Sequence, residues 1–431
     1  MDLATILLSA FVILVLVIAF RNRNPGKYIN FPPGPKPLPI IGNILSINMS
    51  TPYKTFMELS KKYGPVFSVQ IGFTKMVVMC GYDTVKEALV DQGEKFVDRP
   101  KPQLFSKTTK DHGVILASGE NWKVMRRFTL STLRDYGMGK KSIEGKISEE
   151  AASLVQKFRT YKGKPFNNLK NVNSAVANII VAILLSHRFD YEDPTILKLV
   201  ALINENIRLF GRPLVRGKPE STKFFHNENL IALVGDLFIA GMETTSTTLR
   251  WGLLLMMKYP EVQKKVQNEI EKVIGTAEPQ VEHRKEMPYT DAVIHEIQRF
   301  GDIVPGNVPR VTSQDVTFKG YFIPKGTLVI PLLHSILRDK AYFEKRHEFY
   351  PEHFLDSSGK FKKNEAFIPF SIGKRSCAGE TLAKMELFLF FTSLLQNFTF
   401  QAPPGAQLDL TPGPGSTNAP KPYEICAIPR T

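Results

Sequence analysis

Three cysteines in 431 residues, Cys80, Cys377 and Cys426, are too few and odd in number for a disulfide framework, and they suit a reducing compartment. No Gly-x-Gly-x-x-Gly follows a predicted strand and no flavin signature occurs, so the chain carries no dinucleotide-binding unit of its own. Any electrons it uses must come from another protein. Net charge is +15, yet no dense Lys/Arg tract or nucleic-acid motif is present. Nucleic acid is therefore not an expected partner; an anionic lipid surface or an acidic protein fits better. His295-Glu296-Ile-Gln-Arg299 just misses the zinc-protease pattern, because its last position is arginine, which cannot ligate zinc. Internal repeats are lacking, and low complexity is confined to one proline-rich stretch.

What is there begins at the N-terminus. Leu3 to Phe20 is apolar except for Thr5 and Ser9, a run of 18 near the lower limit for crossing a bilayer. Arg21, Arg23 and Lys27 follow it and only Asp2 precedes it, the reverse of a cleaved signal's charge order. Residues 1–21 read as a membrane anchor, with everything after Arg21 on the cytosolic side. A basic, proline-rich linker over 22–43 follows, and its Phe31-Pro-Pro-Gly-Pro-Lys-Pro-Leu-Pro39 makes a stiff spacer. Residues 44–431 read as one domain. Val66–Gly72 and Lys75–Cys80 predict a β-hairpin, with further strands at Val316–Phe322 and Leu328–Pro331. Helical periodicity covers Pro52–Tyr63, Thr84–Gln92, Asn121–Thr132, Ser148–Arg159, Asn173–Leu185, Thr195–Phe210, Asn227–Tyr259, Val262–Ile274, Tyr289–Phe300 and Glu380–Asn397. The expected fold is mainly α with a smaller β region. The Asn227–Tyr259 helix spans roughly 50 Å at 1.5 Å per residue, and most of it is apolar around the full circumference, so it is expected to lie buried through the middle of the domain.

Phe370-Ser-Ile-Gly-Lys-Arg-Ser-Cys377-Ala-Gly379 sets one cysteine just before a helix, where the dipole and free N–H groups favour a thiolate and hence a metal ligand. Gly373 permits a tight turn, Gly379 lets the backbone approach something flat, and Arg375 is placed to meet an anion beside that metal. The pattern Phe-x-x-Gly-x-Arg-x-Cys-x-Gly resembles the haem-binding loop of the cytochrome P450 family. The resemblance implies the cytochrome P450 fold preceded by a transmembrane helix, and haem b with Cys377 as the iron's axial ligand. In that family the thiolate pushes electron density onto the metal and favours O–O cleavage.

Other segments extend the likeness. Ala240-Gly-Met-Glu243-Thr244-Thr245 resembles the family's oxygen-activation segment, which implies Glu243 and Thr244 as a proton relay beside a small Ala240. A simpler alternative for Thr244 is a local bond from its hydroxyl to the Ala240 carbonyl. Trp122-Lys-Val-Met-Arg126 resembles the helix that holds a haem propionate, a task implied also for Arg310 and Arg375. Glu296-Ile-Gln-Arg299 resembles the family's Glu-x-x-Arg, whose basic third member is here His353, in Phe349-Tyr-Pro351-Glu-His353-Phe354. Neutral histidine should weaken that network.

Only 16 residues separate Phe210 from Asn227, where the family carries two more helices over the substrate pocket. Their loss should uncover Leu230–Phe238 at about 25 cal/mol per Å² exposed. The microsomal, xenobiotic-metabolising family 2 is the branch most resembled. It implies a monooxygenase acting on a small lipophilic xenobiotic, fatty acid or steroid at the endoplasmic reticulum membrane. Electrons would come from NADPH through cytochrome P450 reductase, with cytochrome b5 a further candidate partner and Lys123, Arg127 and Lys374 candidate docking residues. Two alternatives remain: a shortened haem-binding protein with little or no turnover, and a peroxide-rearranging haem-thiolate enzyme, against which Glu243-Thr244 argues. The pocket is expected to be lined from 102–116, 238–245, 303–308 and 415–418.

Overall fold

Pro52, Pro260 and Pro288 each open a helix at its first turn, where proline's missing N–H costs nothing and its fixed φ is helical already. The computed structural model describes residues 2–21, 30–101, 112–139, 141–185, 187–198, 200–201 and 226–430. In chain order the principal elements are α1 (Leu3–Arg21), α2 (Pro52–Tyr63), β1 (Val66–Ile71), β2 (Thr74–Met79), α3 (Tyr82–Lys86), α4 (Gly119–Asp135), α5 (Lys141–Arg159), β3 (Phe166–Asn167), α6 (Leu169–Leu185) and α7 (Asn227–Lys258). They continue with α8 (Pro260–Val273), α9 (Pro288–Gly301), β4 (Arg310–Val311), β5 (Val316–Phe318), β6 (Tyr321–Ile323), β7 (Leu328–Pro331), α10 (Leu333–Leu337), α11 (Glu380–Asn397), β8 (Phe398–Gln401) and β9 (Glu424–Pro429). The chain is mainly helical with a smaller β part, as expected.

Two compact units divide these elements. The smaller comprises residues 1–100, 305–336 and 371–376. Its sheet runs β1-β2-β7-β4, with β1 and β2 the expected hairpin about Gly72-Phe73 and β7 parallel to β2. The proline stretch lies along β1: Ser68 N–H donates to the Pro33 carbonyl at 2.7 Å, and its hydroxyl to that of Pro32 at 2.7 Å. Gly34 permits this approach, since a Cβ there would stand 1.9 Å from the Ser68 carbonyl oxygen.

The larger unit comprises 101–304, 337–370 and 377–431. Its core is α7, packed against α6, α9 and α11. From Thr245 to Met257 every residue of α7 is buried. Gly252 makes that packing possible, because a Cβ there would lie within 3.2–3.3 Å of Ile297 on α9 and Phe391 on α11.

Several expectations need correction. Val316–Phe322 is not one strand but the hairpin β5–β6, turned at Lys319-Gly320, whose φ values of 45° and 81° no strand accommodates. Thr84–Gln92 is α3 followed by a π-helical turn over Glu87–Asp91. The shortened segment leaves Leu230 and Ile231 52% and 71% exposed, as expected, but Leu233 and Phe238 in the same stretch stay buried at 3% and 6%. Thr195–Phe210 begins as helix at 194–198, and most of it lies outside the described residues.

Candidate haem-thiolate site

The cysteine loop is shaped by backbone constraints at both ends. In the smaller unit Gly373 has φ 77°, and a Cβ there would be 1.9 Å from the Leu89 carbonyl oxygen, so only glycine fits. In the larger unit Cys377 N–H donates to the Phe370 carbonyl at 2.9 Å, which sets the sulfur just before α11. Gly379 precedes that helix, and among the described residues no atom lies within 4 Å of where its Cβ would be. Backbone there faces open space, as close approach by a flat group requires. Cys377 has no disulfide partner and is solvent-reachable, although α11 beyond its first turn is almost wholly buried.

Surrounding protein still desolvates the thiol. Burial pushes the Cys377 pKa up, the Gly379 N–H pulls it down, Glu380 raises it and Arg126 lowers it. The net direction is upward, because burial outweighs the Gly379 N–H and the Arg126 charge. Arg126 itself is drawn below its ordinary value by burial and pulled back by the Cys377 sulfur. Arg126, from α4, and the cysteine therefore sense each other's charge within the larger unit. Trp122, one turn earlier on α4, is buried, and Lys384 lies over the Phe370 ring at 5.6 Å.

Arg310 and Arg375 are brought together in the smaller unit, around one narrow cleft with Phe96, Val97 and Ile372. Both are buried, and Arg375 Nε donates to the Val97 carbonyl at 2.9 Å. Sequence reading missed Arg99, whose Nη1 donates to the Val308 and Pro309 carbonyls at 2.5 and 2.8 Å and so positions the strand bearing Arg310. No periodicity or motif marks it.

On α7, Ala240 is exposed while its neighbours in sequence turn to other tasks. Gly241 faces α6, where a Cβ would meet Ile180 Cδ1 at 2.7 Å, so its smallness serves helix packing. Thr244 Oγ1 donates to the Ala240 carbonyl at 2.7 Å, the local bond foreseen as the simpler alternative. Glu243 Oε1 accepts from the Thr417 hydroxyl at 2.8 Å and from Thr247 at 3.4 Å. The 415–418 stretch is itself fixed: Trp251 Nε1 donates to the Asn418 carbonyl at 2.7 Å, and Asn418 N–H to Ile303 at 2.9 Å. Residues 113–115 are tied to α7 as well, through Asn229 and Asp236. Of the expected pocket lining, 112–116, 238–245, 303–304 and 415–418 belong to this unit, 305–308 to the smaller one, and 102–111 lie outside the described residues. Glu386, also unforeseen, is a wholly buried carboxyl on α11 beside Thr245.

The Glu-x-x-Arg network closes as expected, with histidine as its third member. Arg299 grips Glu296 through Nε and Nη2 at 2.7 and 2.6 Å and donates to the carbonyls of Leu337, Arg346 and Glu348. Tyr350 N–H at 2.8 Å and His353 Nδ1 at 3.2 Å complete the shell of Glu296.

The donor set fits a haem: a reachable thiol before a buried helix, an open backbone face at Gly379, and a guanidinium whose charge reaches the sulfur. The family model described as Cytochrome P450 matches residues 32–216 and 213–427, breaking in two at the shortened segment. Among curated proteins, Cytochrome P450 2K1 of Oncorhynchus mykiss is 45% identical, covering 99% of this chain and 97% of its own. Cytochrome P450 2B4 of Oryctolagus cuniculus is 42% identical with both chains wholly covered, over 492 aligned positions, 61 more than the 431 residues here. Cytochrome P450 2G1 of the same species is 42% identical over 97% of each chain.

Proposed function

This chain belongs to the cytochrome P450 family, and from that premise we propose that it oxidises a small lipophilic molecule with electrons relayed from NADPH by cytochrome P450 reductase. It is a haem-thiolate monooxygenase, with haem b held through a cysteine thiolate. Bound there, the haem supplies reductive activation of dioxygen. The observation that carries the reading is the loop at Cys377, a reachable free thiol fixed by its N–H bond to Phe370 just before α11, with an open Gly379 face.

Cys377 would hold the iron and Gly379 would allow the ring plane to approach. In the larger unit Phe370, Trp122 and Arg126 would bind the haem, and the small, exposed Ala240 would leave space beside it. Arg310 and Arg375, paired in the smaller unit, are candidates for its carboxylates, a task the guanidinium fork suits. Glu243 would gather protons and Thr244 pass them on. The Thr417 hydroxyl bond holds the Glu243 carboxylate in one orientation, and breaking the Thr244–Ala240 bond frees the hydroxyl to rotate toward a new acceptor.

α1 would anchor the enzyme in the endoplasmic reticulum membrane, followed by the 22–43 linker and the 44–431 domain on the cytosolic side. The 19 residues of α1 reach about 28 Å and expose Leu3, Leu7, Leu8 and Phe11. Cytochrome b5 is a second candidate donor. A second reading, haem binding with little turnover, is favoured by the 61 unmatched positions and the bare Leu230 and Ile231.

A carbon monoxide difference spectrum of the reduced, membrane-expressed chain, followed by turnover with purified reductase and NADPH, separates the readings. The long-wavelength Soret band and oxygenated product are expected, with Thr244→Ala lowering product and raising peroxide release. A normal band with NADPH oxidation but no product would select the second reading. No band at all would sink both.

A further inference from the structure

His112, His226 and Glu228 offer one donor atom each, all within 4.8 Å of one another. Two features of α7 hold the first of these to the others. Asn229 Oδ1 accepts from Gly113 N–H at 2.7 Å, and Asp236 Oδ2 accepts from Val114 and Ile115 N–H at 2.6 and 2.9 Å. Gly113 has φ 80°, and a Cβ there would stand 2.3 Å from Asp236 Oδ2, so the approach is built into the residue type. The rings of His112 and His226 meet edge to face, 4.6 Å between centroids.

His226 is the N-cap of α7, and its Nδ1 accepts from Asn229 N–H at a long 3.4 Å. A neutral imidazole that accepts at Nδ1 carries its proton on Nε2. That nitrogen is buried and makes no hydrogen bond among the described residues. Such a group is costly to leave unmatched. A cation at Nε2 removes the mismatch: the ring proton moves to Nδ1, and only the 3.4 Å contact is given up. Glu228, in the first turn, supplies the negative charge that a cation near a helix N-terminus otherwise lacks.

Two imidazoles and one carboxylate, with a fourth position left over, are a ligand set for zinc. We propose that His112, His226 and Glu228 form a zinc site that fastens the 112–116 loop to the first turn of α7. It is independent of the haem chemistry and lies where the chain is shortest relative to the family. Zinc there stabilises the loop by binding the ordered state alone.

The test uses the full-length, haem-loaded protein, stripped with a chelator and titrated with zinc chloride against a chromogenic zinc indicator. One equivalent is expected, with slowed amide exchange at 113–115. His226→Asn keeps an N-cap, because asparagine caps well, and should weaken zinc binding at least tenfold while leaving the carbon monoxide spectrum unchanged. Glu228→Gln should weaken it as well. Failure to bind zinc, or equal affinity in wild type and His226→Asn, overturns the site.

Discussion

Burial and Glu380 hold the Cys377 thiol up while the Gly379 N–H and Arg126 draw it down, and burial prevails. A second buried acid on the same helix is more perturbed: desolvation pushes Glu386 up to about 8 from 4.5, against one hydroxyl contact from Thr245 that lowers it. Because the folded state holds this proton more tightly than the unfolded chain, Glu386 favours folding at low pH. That contribution is lost as pH rises from about 4.5 through 8. Glu386→Gln should therefore flatten the fall in Tm between pH 5 and 8, measured by thermal unfolding. Parallel slopes in the two proteins would mean the carboxyl is already ionised. Burial of this carboxyl could not be read from the sequence, where Glu386 looks like any helical glutamate, two residues after Lys384.

Elements show how much a local motif leaves open. Glu296 and Arg299 were recognisable as an i, i+3 pair, which on an exposed helix is worth only about 0.2–0.5 kcal/mol. Here both are fully buried, and Arg299 also satisfies three carbonyls. Removing one partner of such a pair strands the other charge, so Arg299→Ala should cost about 3–5 kcal/mol in chemical denaturation. His353→Ala should cost less, since its 3.2 Å contact is one of several to Glu296. Equal losses would give the histidine a larger share than its geometry suggests. The long helix α7 was legible in extent almost to the residue, and its exposed start followed from the shortened segment before it; the burial of Leu233 and Phe238 did not, because periodicity reports which faces are apolar and not what covers them.

Across the molecule, the family match breaks at residues 213–216, shortly before the exposed start of α7, and the alignment to a full-length relative runs 61 positions beyond this chain's 431 residues. Ile231 is 71% exposed and Leu233 3%. Leu233→Ala should cost about 2–5 kcal/mol, as a core truncation does, whereas Ile231→Ser should stay within about 0.5 kcal/mol. A large loss at Ile231 in unfolding assays would show that something covers this face in solution.

Residue order was enough to identify the family, the cysteine loop, the apolar first helix and the break near residue 213. Those depend on residue type, order and spacing, which are local. Only the tertiary structure decided that Gly241 packs against Ile180 while Ala240 stays open, that Thr417 takes the Glu243 carboxylate, and that Arg99 supports the strand of Arg310. It alone brought His112 to His226 across more than a hundred residues. Each of these joins distant segments, and burial and hydrogen bonding between distant segments are settled by packing, which no window of sequence contains.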